Sequence, residues 1–222
     1  MKRLQQFALL ALVLLSPLYR VDAQEVKVSS ALLEAFGKTN ILDEERRQRV
    51  ISLLSQDTTL LLPLDLELDA ELVAFSDRTL RLKTSAVGSW ELRLLPLLNG
   101  SSLTSVIERV TRPQADARIT FLDQEGQVIK TEILALPTAE DFLRSLQLPE
   151  TSSGYRLREL LRPLHYQLSW AEGQADVLLV TPSLLLTEED KANTELTALI
   201  AQLPSLASVW DGKSFAPFTP RK

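Results

Sequence analysis

Two segments near the middle of the chain alternate apolar and polar residues, and this alternation constrains the fold more than any other feature. Thr79–Thr84 and Trp90–Leu94 are separated by a short turn, Ser85–Ser89. A period of two is typical of a β-strand with one buried face, and two such segments joined by a short turn predict an antiparallel hairpin. The face expected to point to the core carries Leu80, Leu82, Trp90, Leu92 and Leu94. The face expected to meet solvent carries Arg81, Lys83, Glu91 and Arg93.

The hairpin lies inside a longer region, Leu66–Ile133, that we interpret as a meander of antiparallel strands. Asn99-Gly100 is a strong tight-turn dipeptide, and Gln124–Gly126 indicates another turn. Besides the central hairpin, strands are predicted at about 66–72, 103–111, 118–123 and 127–134. A second hairpin is predicted at about 164–181, where apolar residues again alternate with polar ones.

Helical patterns occur on both sides of the meander. Asp43 is a typical N-cap with acidic residues in the turn that follows, and Thr187 begins a similar pattern with Glu188–Asp190. Helices are predicted at about 30–37, 43–55, 138–147 and 188–202. We therefore expect an α+β fold, an antiparallel sheet meander with helices packed on one face.

The beginning of the chain predicts export. Two basic residues, Lys2 and Arg3, precede an apolar run over Phe7–Leu15, and Val21–Ala23 offers small residues for a signal peptidase. Residues 1–23 are interpreted as a cleaved secretory signal, with an uncleaved anchoring helix as the alternative. Residues 24–222 are expected to form a single α+β domain with a possible sub-domain break near 149–154. They hold no second apolar run of membrane-spanning length, so no transmembrane segment is predicted in the mature chain.

Charge and cysteine content exclude several classes of function. The net charge is −5, and removing the signal makes it more negative, which argues against a nucleic-acid partner. The chain has no cysteine, so disulfides, thiol catalysis, thiolate metal sites and a lipid on an N-terminal cysteine are excluded.

The motifs of common enzymes are also missing. His165 is the only histidine and falls on the predicted outward face of its strand, and the sequence has no nucleophile elbow, phosphate-binding loop or dinucleotide fingerprint. The alternating acids Asp65, Glu67, Asp69 and Glu71 resemble a cation site, but we interpret them as the solvated face of a strand. No catalytic, metal or cofactor-binding residue is therefore predicted, and no cofactor is expected.

Several short sequence motifs together suggest a family. They are Leu92–Leu97 with Asn99-Gly100, Pro113 followed by Asp116–Phe121, Leu184–Leu186 with Thr187–Asp190, and Trp210–Phe215. In this combination the chain resembles a family of small exported proteins of unknown function from Bacteroidales. The resemblance implies an α+β fold and the envelope of a Gram-negative bacterium, with the periplasm as the expected location and an extracellular one as the alternative. The resemblance implies no catalytic residues in this sequence.

The favoured function is a non-enzymatic binding or accessory module that acts through a protein-interaction surface, with an envelope protein as a possible partner. Two apolar runs outside the periodic elements are the candidate surface: Leu60, Leu61, Leu62 and Leu64, and Leu184, Leu185 and Leu186. Two other functions stay open: a carboxylate-dependent envelope hydrolase and a small-molecule or lipid carrier. The sequence leaves the oligomeric state undetermined.

Overall fold

The computed structural model describes residues 23–24, 28–56, 60–67, 69–174 and 176–221. The signal predicted over residues 1–23 lies outside this part of the chain except for Ala23. In chain order the described elements are β1 Ala23–Gln24, α1 Ser30–Gly37, α2 Glu44–Ser55, β2 Leu60–Leu61, β3 Leu64–Asp65, β4 Glu71–Phe75, β5 Thr79–Lys83, β6 Gly88–Pro96, β7 Ser102–Val110, β8 Asp116–Leu122, α3 Ala139–Leu143, α4 Ser152–Leu160, β9 His165–Trp170, β10 Val177–Ser183, α5 Glu188–Ala192, α6 Thr194–Ile200, β11 Leu206–Val209 and β12 Thr219–Pro220.

The larger sheet is the predicted meander. Its strands lie in chain order, β3-β4-β5-β6-β7-β8, and each pairs antiparallel with the next. In the central hairpin Leu82 pairs with Trp90 and Arg81 with Glu91, as the alternation requires. The smaller sheet has the order β12-β11-β10-β9 and contains the second predicted hairpin, β9–β10. The α+β class with an antiparallel meander is therefore confirmed.

Other elements cover part of both faces of the larger sheet. Leu92 and Leu94 of β6 pack with α1 and α2 in one core cluster, whereas Leu95, on the opposite face, packs with Trp170 and Leu178 of the smaller sheet. The sequence-based expectation of a solvent-exposed second face is therefore wrong over part of the hairpin. The β9–β10 hairpin covers that face, and the side chain of Glu91 is only 1% exposed.

The core cluster that β6 forms with α1 and α2 is called the first cluster, and the remaining helices belong to other clusters. Phe142 of α3 joins the core between the sheets, while Leu157 of α4 and Leu196 of α6 belong to a third cluster. The predicted helix over 188–202 is divided, because Asn193 ends α5 and its side chain caps α6 by accepting a hydrogen bond from the Leu196 N–H.

Two strand predictions are wrong. The alternating acids do not lie on one strand, because the chain turns between β3 and β4 and the φ angles of Glu67 and Asp69 are positive. Hydrogen bonds from Leu66 N to Ala70 O and from Ala70 N to Glu67 O close this turn. At 127–134 the chain forms only a single bridge to β8, through Val128.

The proposed break near 149–154 coincides with the start of α4. Thr151 caps this helix and Gly154 lies buried in its first turn. Among the residues that the structure describes, no helix has the length and apolar character needed to cross a membrane.

Candidate functional site

A collection of partly buried charged side chains lies where the larger sheet meets β9 and the β9–β10 turn. Two adjoining clefts, of about 410 and 560 Å³, open there. They share four wall residues, which are Arg81, Glu91, Trp170 and Glu172. We name this region, with the residues that form ion pairs in its walls, the arginine cleft; it comprises Arg78, Arg81, Glu91, Arg93, Arg109, Trp170 and Asp176.

Strand geometry brings these side chains together. Glu91 and Arg93 are two residues apart on β6, so both point toward the smaller sheet. Arg81 of β5 stands directly opposite Glu91 in the ladder, and Arg109 of β7 stands opposite Ser89. Three neighbouring strands of a simple meander therefore supply most of the cleft.

Glu91 is the buried carboxylate of the cleft. Its Oε2 accepts a hydrogen bond of 2.5 Å from Nη2 of Arg109, and its Oε1 forms an ion pair with Nε of Arg81 at 3.1 Å. The Oε1 contact lacks hydrogen-bond alignment, since this atom has no hydrogen-bond partner among the described residues. A carboxylate this deep would be costly to bury alone, and the two guanidinium groups offset that cost.

Arg109 also links the two sheets through the backbone. Its Nε donates a hydrogen bond of 2.8 Å to the carbonyl oxygen of Leu168 on β9. Strand β9 is the edge of the smaller sheet, so the side chain of Arg109 reaches a backbone group at that edge. One arginine thus fixes both the buried carboxylate and the neighbouring sheet.

Asp176 is the second carboxylate of the cleft. Its Oδ1 lies 3.4 Å from Nη2 of Arg93 and its Oδ2 lies 3.4 Å from Nη1 of Arg78. The backbone at Asp176 has a positive φ, and its carbonyl oxygen accepts a hydrogen bond of 2.9 Å from Trp210 N, which fixes this turn against β11.

Of the two arginines that pair with Asp176, Arg93 has the more desolvated guanidinium group. It lies 4.8 Å from the centre of the Trp170 ring, within the range of a cation–π interaction. Burial lowers the pKa of Arg93, which the charge of Asp176 partly opposes. The Nε atom of Arg93 is buried and has no hydrogen-bond partner among the described residues.

The charges of the cleft do not balance. Four guanidinium groups share two carboxylates in ion pairs, which gives an excess of two positive charges in a partly desolvated space. Glu172 and Arg221 also line the clefts, and their opposite charges leave this excess unchanged. Each guanidinium carries five N–H donors, so two carboxylates cannot engage them all. The arrangement is suited to accept a further anion.

A second link between the sheets involves Asp116 of β8. Its Oδ1 accepts hydrogen bonds from the backbone N–H groups of Tyr166 and Ala117, and its Oδ2 lies 3.2 Å from Nδ1 of His165. Burial alone would raise the pKa of Asp116, but the hydrogen bonds from Tyr166, His165 and Ala117 outweigh it and hold the pKa below its ordinary value. His165, predicted as a surface residue, is thus half-buried at the junction of the sheets.

The residues of the predicted interaction surface lie in different clusters. Leu60, Leu62 and Leu64 are partly buried against the first core cluster, and the side chain of Leu61 lies outside the described part of the chain. Leu184 packs against the third cluster and Leu185 is 59% exposed. Together with Leu186 these two residues line a groove of about 450 Å³.

Sequence reasoning missed the arginine cleft. The alternation of apolar and polar residues placed Arg81, Glu91 and Arg93 on one face of the hairpin, and this shared face was the signal for the cleft in the sequence. It could not show that the smaller sheet covers that face or that Asp176 joins it. Among the described residues, no group of three His, Cys, Asp or Glu side chains is arranged to hold a metal ion.

Comparison with known proteins adds a family. Residues 27–211 match the model of a family described as a protein of unknown function, DUF3256. The chain belongs to this family. The match covers most of the sequence, and every residue of the arginine cleft lies within the matched range.

A solved structure has the same fold. It is a domain of an uncharacterized protein from Porphyromonas gingivalis W83, 22% identical, with a TM-score of 0.65. The alignment covers 87% of this DUF3256 chain and all of that domain. The source is a member of the Bacteroidales, in agreement with the resemblance noted from the sequence. The search of curated proteins gives no match.

Proposed function

We propose that this DUF3256 protein is a non-enzymatic binding module of the bacterial envelope that holds an anionic group of its ligand in the arginine cleft. The observation that carries the proposal is the excess of two guanidinium groups over carboxylates. The envelope setting is supported by the predicted signal and by the neighbour from Porphyromonas gingivalis.

The geometry favours binding of a carboxylate or a phosphate. Guanidinium groups donate two parallel hydrogen bonds to such anions, and these bonds are stronger than those between neutral groups. Arg78 and Arg81 retain 35% and 39% side-chain exposure, so their free donors are accessible at the mouth of the cleft. Their ion pairs with Asp176 and Glu91 hold them in place before a ligand arrives, which reduces the entropy lost on binding.

The two alternative functions require other features. A carboxylate-dependent hydrolase needs an acid with a raised pKa. Among the described residues, each carboxyl group whose pKa departs clearly from its ordinary value has a lowered pKa: Glu34, Asp43, Glu44, Asp116, Asp141, Asp190 and Asp211. A carrier needs an apolar interior cavity, whereas charged side chains line the arginine cleft.

The proposal can be tested by titrating the isotopically labelled protein with phosphate and with acetate at low ionic strength, while recording the Nε–H resonances of arginine by NMR. Saturable shifts of the cleft arginines are expected. Arg78→Gln should weaken phosphate binding about five- to tenfold, because it removes one charged donor from a half-exposed site. A protein without saturable shifts would contradict the proposal.

A matched control is available on the same sheet. Arg118 of β8 pairs with Glu108 at 2.7 Å, but its side chain is 75% exposed. Arg118→Gln removes the same charge and should leave phosphate affinity unchanged. An equal loss of affinity in both variants would show that the net charge alone attracts the anion.

A further inference from the structure

We infer that the ligand of the arginine cleft is an acidic peptide segment in extended conformation, with carboxylates on alternate residues. This inference rests on the proposed function and narrows it to one class of partner, an acidic segment of another envelope protein. Three observations support it: the division of the cleft, the spacing of its arginines and the burial of its tryptophan.

The cleft is divided into two compartments with similar chemistry. In the first, Arg78 and Arg93 share Asp176. In the second, Arg81 and Arg109 share Glu91. Each ion-paired group therefore has one guanidinium in excess. Glu172, in the walls of both compartments, and Arg221, in the wall of the second, add one charge of each sign, so the two compartments together can take two further negative charges. A ligand with two separated anionic groups satisfies both compartments at once.

The spacing of the two compartments along β6 matches the spacing of alternate residues in an extended peptide. In the ladder Arg93 stands opposite Thr79, Arg81 opposite Glu91, and Arg109 opposite Ser89. These three levels are each two residues apart on β6, which corresponds to about 6.5–7 Å per step. Side chains on alternate residues of an extended peptide have the same spacing and point to the same side. The guanidinium groups of Arg81 and Arg109 converge on Glu91, whereas Arg93 lies one level away on β6 and pairs with Asp176. Carboxylates at positions i and i+2 of the peptide would thus reach one compartment each.

The burial of Trp170 favours a peptide over a sugar. This is the one tryptophan that lines the two compartments, and only 3% of it is exposed. Its ring also lies against Arg93. It is therefore not a platform on which a sugar ring could stack. The recognition features that remain most accessible are the guanidinium groups of Arg78 and Arg81, whose side chains are 35% and 39% exposed.

The test uses three blocked synthetic pentapeptides and the protein purified from the envelope of cells that express the full-length chain. The alternating peptide has the sequence Gly-Asp-Gly-Asp-Gly. The consecutive peptide, Gly-Gly-Asp-Asp-Gly, carries the same charge, and the single-acid peptide, Gly-Gly-Asp-Gly-Gly, carries one carboxylate. Dissociation constants are measured by calorimetry at low ionic strength. The alternating peptide should bind about tenfold more tightly than the single-acid peptide. It should also bind more tightly than the consecutive peptide.

Variants in each compartment complete the test. Arg78→Gln and Arg109→Gln should each reduce the affinity for the alternating peptide to that of the single-acid peptide, while Arg118→Gln should not change it. Circular dichroism verifies that each variant is folded, and Arg81→Gln serves in place of Arg109→Gln if the latter fails to fold.

The outcomes separate this inference from the proposed function. If phosphate binds through the cleft arginines but all three peptides bind equally, the peptide ligand is wrong and the anion-binding module stands. If an acidic oligosaccharide such as oligogalacturonate binds more tightly than the alternating peptide, the ligand class is wrong. If no anion binds, both the proposed anion-binding function and the peptide ligand are wrong.

Discussion

Nη2 of Arg109 lies 2.5 Å from Oε2 of Glu91, and this contact joins two strands at a point that the second sheet covers. The same Glu91 contacts Arg81 through its other oxygen. A buried carboxylate shared by two guanidinium groups connects the stability of the fold to the charge of the cleft.

Glu91→Gln should therefore destabilise the protein. The substitution keeps the shape of the side chain but leaves Arg81 and Arg109 without their counter-charge. Breaking a buried pair costs about 3–5 kcal/mol; because both arginines are partly exposed, we expect about 2–3 kcal/mol. Urea denaturation followed by circular dichroism measures the change. The control is Glu108→Gln, whose partner Arg118 is exposed, and its expected cost is below about 0.5 kcal/mol.

Gly154→Ala should also destabilise the protein, for a steric reason. A Cβ at this position would collide with the carbonyl oxygen of Pro149, a backbone atom that cannot move aside easily. The expected cost is about 1–3 kcal/mol, as for overpacking in a core. Gly37→Ala is the matched control, because its Cβ would make an ordinary contact of 3.5 Å with Ile51. A loss of stability in Gly37→Ala as large as that in Gly154→Ala would contradict the steric explanation.

The elements that could be predicted from the sequence depend on local rules. Alternation over residues 79–94 gave the hairpin β5–β6 and its core-facing residues, since the period of a strand is visible in a short segment. Asp43 and Thr187 indicated helix starts because an N-cap acts within one turn. The Asn99-Gly100 turn followed from the tolerance of glycine for positive φ.

The arginine cleft could not be predicted because its contacts are distant in sequence. Arg78 and Asp176 are 98 residues apart, and Arg109 reaches the Leu168 carbonyl over 59 residues. Alternation shows that Glu91 and Arg93 are polar and share a face, but it cannot show that another sheet packs there. The strand predicted over the acidic stretch before β4 was wrong for a local reason. The turn at Glu67 and Asp69 interrupts the alternation of apolar and acidic residues on which that prediction was based.

Acid should weaken the packing of α4 against α5 through Asp190. Its oxygens accept hydrogen bonds of 2.8 and 2.9 Å from Arg156, and these bonds, with those from Thr187, hold the pKa of Asp190 well below its ordinary value. Because the folded-state pKa is lower than that of the unfolded chain, this stabilisation is present above the ordinary aspartate value of about 4. It is lost as the pH falls through the folded-state pKa.

The change that reports this effect is Asp190→Asn. Thermal unfolding of both proteins between pH 7 and pH 2 should show the largest difference in midpoint near neutral pH and a narrowing difference below about pH 4. Glu125→Gln, an exposed acid in the turn after β8, removes the same charge and should lack this pattern. A difference between wild type and Asp190→Asn that does not change with pH would show that the carboxylate charge is not involved.

Two buried tryptophans of the inter-sheet core allow one further prediction. Nε1 of Trp210 donates a hydrogen bond of 2.7 Å to the carbonyl oxygen of Pro96, whereas Nε1 of Trp170 has no hydrogen-bond partner among the described residues. Trp210→Phe removes the hydrogen bond to the Pro96 oxygen, but Trp170→Phe removes a donor that makes no bond. Trp170→Phe also weakens the cation–π contact with Arg93, which offsets part of the difference, so Trp210→Phe should cost about 1 kcal/mol more in urea denaturation. Equal costs would mean that the hydrogen bond to Pro96 contributes little to holding β11 against the larger sheet.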